Sequence, residues 1–229
     1  KSGDTLVINS GEYRGRIQNN ESGWVLIVRQ HALFSPSNFS GINGQVFNYG
    51  TITLNQSLST ANGFSLENYG AFNVYANALF NGDQQVTIHN RANGNMYFGN
   101  SIDFNAPVTM VNDGLIVAAQ NITLNSGTVI TNNNSITVNG TLSLNNGRII
   151  NNKRLNIKRR FTINSGSSLI NNALTIAEGG ITNNSTLVNS GLLWVSATDN
   201  NDFINSGRIT MMPNAMVRTG SFTNNRGGE

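Results

Sequence analysis

The chain has 229 residues, a formal net charge of +3, 11% charged and 38% hydrophobic residues, and no cysteine. That composition excludes a disulfide-stapled scaffold, and it excludes disorder, which needs low hydrophobicity together with high net charge. No apolar run approaches the length of a membrane helix; the longest, Trp24 to Val28, is strand-sized.

Residues 1–42 do not fit the pattern that follows. They hold GDTLVINSGEYRGRI, then SGWVLIVRQHALFSPSNFSG, a dense apolar strand with a proline-bearing loop. From residue 43 the chain repeats. One asparagine per unit aligns at Asn48, Asn68, Asn90, Asn112, Asn132, Asn151, Asn171, Asn189, Asn205 and Asn224, in steps of 16 to 22 residues that average close to 20. Two residues before each stands an apolar side chain, from Val46 and Leu66 to Phe203 and Phe222. Four and six residues after come pairs such as Ile52 and Leu54, Ile136 and Val138, Leu155 and Ile157, or Ile209 and Met211. This alternation has period two, which is strand spacing; no stretch sustains a helical period. In most units a second series precedes the first by five to seven residues: Asn43, Asn62, Asn105, Asn125, Asn145, Asn164 and Asn183, often within LNSG, LNNG or INSG.

A unit of two or three short strands cannot bury its apolar face alone, so successive units must stack around one core. The expected fold is all-β, a right-handed parallel β-helix (β-solenoid) of about 20 residues per coil and ten to eleven coils. Strands about 4.8 Å apart then give a rod roughly 50 Å long. Right-handedness follows the general preference of parallel crossovers. The asparagines are expected to point inward and to stack as an amide ladder. The recurrent Asn-x-Gly corners are expected to use the left-handed backbone these residues tolerate.

Units such as ITLNSGTVITNNNSITVNGTLSLNNGRIINN resemble the coils of large secreted bacterial surface proteins, the filamentous-haemagglutinin and autotransporter type of parallel β-helix. The resemblance covers about residues 43–224, and it implies fold and cell-surface localisation more than any ligand. GDTLVINSGEYRGRI is similar to the openings of many parallel β-helices. Residues 1–42 are therefore expected to form the first coils and a cap, and 43–229 the solenoid repeats. The repeats run on to the C-terminal end, which implies truncation and further domains of the same polypeptide.

Catalytic and metal-binding patterns are scarce. Polysaccharide lyases and hydrolases of this fold need acids gathered on one wall. The acids here are scattered among repeat phases, and the two nearest, Asp199 and Asp202, sit in TDNND, a polar turn or a candidate calcium loop. His31 and His89 are far apart, so no zinc site is expected, and no cofactor is expected at all. One charge concentration stands out, KRLNIKRR. With Leu155 and Ile157 inward, Arg154 should face solvent and Lys158, Arg159 and Arg160 should occupy the next corner. Together with Arg148 and Lys153 they form a candidate site for an anionic partner, a sulfated or carboxylated glycan or an environmental surface. Nucleic acid is not expected, because the basic residues span one coil without interleaved aromatics.

The leading expectation is a non-enzymatic module of a secreted bacterial adhesin, a rigid stalk or scaffold with a glycan or surface contact. The enzyme alternative is a polysaccharide lyase or hydrolase. An ice-binding solenoid is a third reading; Thr51 and Thr53 suggest it, but the equivalent pairs in later coils, such as Leu115 and Val117, do not continue it.

Overall fold

Three short strands per coil carry the alternation, so that one set of side chains turns inward and the other outward. The computed structural model describes residues 4–15, 23–196, 202–225 and 227–229. Its strands form three parallel sheets, of 11, 11 and 10 strands, in which neighbours are always successive coils. The chain is thus a β-solenoid. A representative coil runs through Val129–Asn132 in the first sheet, Ser135–Val138 in the second and Leu142–Leu144 in the third. The next coil stacks on it in register: Ile130 pairs with Ile149, Ile136 with Leu155 and Leu142 with Phe161. Inward side chains from all three sheets make one core along the axis. Large aromatic residues fill its first half, among them Phe34, Phe72, Phe98 and the stacked pair Phe80 and Phe104, 4.9 Å apart. Smaller aliphatic residues dominate later coils.

The expected ladder exists from Asn48 to Asn189. Each of the eight asparagines is fully buried. The Nδ2 of each of the first seven donates to Oδ1 of the asparagine one coil on, at 2.7–2.9 Å. The second amide proton goes to a backbone carbonyl: Asn132 donates to Arg154 O at 2.8 Å and Asn151 to Leu174 O at 2.9 Å. The row therefore fastens the corner between the first and second sheets both along the axis and across it.

Three details of the expectation are corrected. Asn205 and Asn224 do not continue this row, which ends where Asn189 pairs with Met211. They lie in the third sheet and form a separate inward row, Asn183 to Asn205 to Asn224, at 2.7 Å for each bond. Accordingly Ile209 and Met211 stand in the first sheet, opposite Leu187 and Asn189. The apolar residue two positions before the asparagine is common to both rows, so that pattern alone cannot separate them. The second series holds at Asn105, Asn125, Asn145 and Asn164 and differs at its ends, where Asn81 and Asn184 replace Asn43, Asn62 and Asn183. The actual row is Asn81, Asn105, Asn125, Asn145, Asn164 and Asn184, linked at 2.6–3.3 Å on the outside of the third sheet. Asn62 instead accepts from the backbone N–H groups of Asp83 and Gln84.

The third correction concerns the Asn-x-Gly corners. None of the main-row asparagines has a positive φ. Their glycines answer a close approach between coils: a Cβ on Gly70 would lie 2.0 Å from Gly50 O, and one on Gly114 2.1 Å from Gly94 O. Left-handed backbone sits at the opposite bend, between the third and first sheets, at Ser126 (φ 53°), Asn146 (φ 72°) and Gly166 (φ 78°).

Candidate functional site

The six basic residues singled out from the sequence surround one coil. Arg148 opens the strand Arg148–Asn151 of the first sheet, and Arg154 opens Arg154–Ile157 of the second. Leu155 and Ile157 are fully buried and Arg154 is exposed, as strand alternation requires. Lys153 lies on the ladder corner between these strands, whereas Lys158, Arg159 and Arg160 occupy the following bend before Phe161–Ile163. Three strand residues, Leu155 to Ile157, separate Arg154 from Lys158, about 13 Å of extended chain. Lys158 pairs with Glu178 one coil on, and Arg160 donates to Thr182 Oγ1 at 3.2 Å. The corner pair Lys153 and Arg154 thus stands apart from the later triplet, two of whose members already bind neighbouring side chains.

A second charged group was not visible as a cluster in the sequence. His89 is the outward residue of the strand Val86–Asn90, and it pairs with Glu67 on one side and Val111 on the other. Its Nε2 lies 2.7 Å from Asp113 Oδ2 and its Nδ1 3.9 Å from Glu67 Oε2. Arg91 Nε donates to the same Glu67 oxygen at 2.7 Å, and that bond raises the arginine above its usual value. Asp113 also accepts from Asn133 at 2.8 Å. The hydrogen bond with His89 first, and that with Asn133 second, hold its carboxyl below the usual carboxylate range. Arg91 stacks over Tyr69 (5.6 Å), which stacks on Tyr49 (4.7 Å between ring centres). Residues 22 to 24 apart become neighbours here because that is the length of these coils. The widened spacing at Asn68, Asn90 and Asn112 was the signal that could have placed them side by side.

From Asp113 an outer row continues along the same corner, Asn133 to Asn152 to Asn172, at 2.7–2.8 Å. The corner therefore carries two parallel ladders, one buried and one exposed. At the candidate calcium loop, Asp199 lies outside the described residues. Asp202 turns its Oδ2 to the backbone N–H groups of Gly220 and Ser221, at 3.0 and 3.2 Å, and so caps the next coil. Among the described residues no group of three or more His, Asp or Glu side chains is placed to hold a metal ion.

Comparison with known proteins agrees with this architecture. The haemagglutinin repeat family matches over residues 28–97, 79–158 and 139–210, overlapping spans that take in most of the chain. Searches of curated proteins and of solved structures returned no match. A coil near 20 residues, three parallel sheets and a continuous amide ladder are the structural form of those repeats, and the chain belongs to the haemagglutinin repeat family.

Proposed function

We propose that this segment is a non-enzymatic, rigid module of a secreted or cell-surface adhesin, which spaces and presents other parts of the polypeptide. The observation that carries the reading is the unbroken buried ladder from Asn48 to Asn189. Every rung fixes the distance between two coils, so bending or stretching the rod must break bonds in a buried, low-dielectric setting. The family supports an adhesin-type repeat and a secreted or surface location.

On this reading the Lys153–Arg154 corner supplies a weak contact for an anionic glycan or mineral surface. Small-angle scattering and bead adhesion test the two halves. The scattering should give a rod whose length is close to 11 strand spacings, about 50 Å. Beads coated with the protein should adhere to sulfated-polysaccharide surfaces in low salt, and Lys153→Glu with Arg154→Glu should abolish this. Depolymerisation of pectin, alginate or chondroitin by the purified chain would overturn the non-enzymatic assignment.

A further inference from the structure

A cleft of about 580 Å³ opens on the outer face of the second sheet, near its N-terminal end. Its base is the outward column that runs from Glu12 to Leu33, with Thr53 alongside. One wall is the bend Ser35–Ser37, held in place where Gln56 Nε2 donates to Pro36 O at 3.3 Å. The volume lies within the range of small-ligand sites, and the lining is mixed rather than apolar.

The chemistry of that lining is specific. Arg14 Nε donates to Glu12 Oε1 at 2.7 Å, so that a fork of donors stands beside a carboxylate acceptor. This pairing balances the charge, which disfavours a simple anion. Hydroxyls from Ser35, Ser37 and Thr53 and amides from Asn55 and Gln56 add groups that both give and accept hydrogen bonds. Leu33 is a half-buried apolar patch among them. An apolar Leu33 surface edged by closely spaced donors and acceptors suits a molecule with a C–H face and a hydroxyl rim.

We propose that this cleft binds a neutral pyranoside, the terminal residue of a glycan chain. The proposal rests on the adhesin reading and adds a ligand class and a location to it. The site is distinct from the Lys153–Arg154 corner, and its binding should be insensitive to salt because no net charge is neutralised.

The test is amide-shift NMR on the whole chain, titrated with the methyl glycosides of glucose, galactose, mannose and N-acetylglucosamine at millimolar concentration. At least one should shift amides of Arg14, Ser35, Ser37, Asn55 and Gln56 together, with little change between low and high salt. Arg14→Ala combined with Gln56→Ala should raise the Kd at least tenfold with the rest of the spectrum intact. Leu33→Ser should weaken binding severalfold. Absence of shifts at these amides with all four probes overturns the proposal, as does binding that disappears in high salt. Glycoside binding without bead adhesion would count against the adhesin reading and leave the cleft standing. Bead adhesion without glycoside binding would do the reverse.

Discussion

Asn151 and Asn152 are adjacent in the chain, and each bonds to an asparagine above and below. Asn151 is fully buried: it accepts from Asn132 and donates to Asn171, Leu174 O and Thr175 Oγ1. Asn152 makes the equivalent bonds to Asn133 and Asn172 in water's reach. Net hydrogen-bond strength depends on what replaces the bond when it is lost, and only at Asn152 is water the replacement. Asn151→Leu should therefore cost roughly 2–3 kcal/mol in denaturant unfolding. Thr175 limits the damage, because its hydroxyl still donates to Asn171 Oδ1 at 2.8 Å. Asn152→Leu should cost about 0.5 kcal/mol or less. Equal midpoints for the two variants would contradict the inner and outer assignments. At Ile149, 1% exposed and paired with Ile130 and Leu169, an Asp would be a buried charge without a partner. Ile149→Asp should lower stability by several kcal/mol, about 3–5, read as loss of the cooperative transition at ordinary temperature.

The charged corner is the element most sensitive to pH. Asp113 has a depressed carboxyl, caused mainly by the His89 hydrogen bond. A depressed carboxylate stabilises the fold above its unfolded value, and that contribution disappears as pH falls through the folded value. The unfolded reference is near 3.8. Asp113→Asn keeps an acceptor for Asn133 but puts an NH2 where the oxygen faces His89, so it removes the charge together with that hydrogen bond. It should be less stable than the parent by about 0.5 kcal/mol at neutral pH, since the group is partly exposed. The two proteins should converge as pH falls below 3.8 and through the depressed folded value. Urea midpoints across pH 2–7 check this; a difference that grows toward low pH has the wrong sign.

Along the whole molecule, stability is expected to be graded. A coil is held by its two neighbours, so a coil in the middle has twice the support of one at an end. In the last strands the inward positions are partly open: Met211 and Phe222 are 44% and 51% exposed, and the cavity among Phe203, Ile209, Val217 and Phe222 is about 420 Å³. Coils from Val108 to Asn171 have inward residues almost wholly buried. Hydrogen exchange should reach the amides of Arg208–Met211 and Phe222–Asn224 well before those of Val129–Asn132 and Arg148–Asn151, by a factor of 10² or more. Uniform protection along the rod would contradict the graded coupling.

The repeat was legible in the sequence because period-two alternation and a recurring asparagine report local facts: which residues lie in strands and which face they take. Ile149, Leu155 and Ile157 inward, Arg154 outward, and the buried row from Asn48 to Asn189 all follow from that. What the alternation does not carry is which of three sheets a strand joins. Asn183, Asn205 and Asn224 have the same local signature as Asn189, and only pairing between coils separates them. The same holds for function. Glu67, His89 and Asp113 are scattered acids and a lone histidine in the chain, and the cleft joins Glu12 and Arg14 to Thr53 and Gln56. A solenoid converts one coil of sequence separation into about 4.8 Å of space, so residues of different repeat phase can share a site only after the register of stacking is fixed. Strand identity and facing were set by the sequence itself; register, and with it every candidate site, was decided by the packing of one coil on the next.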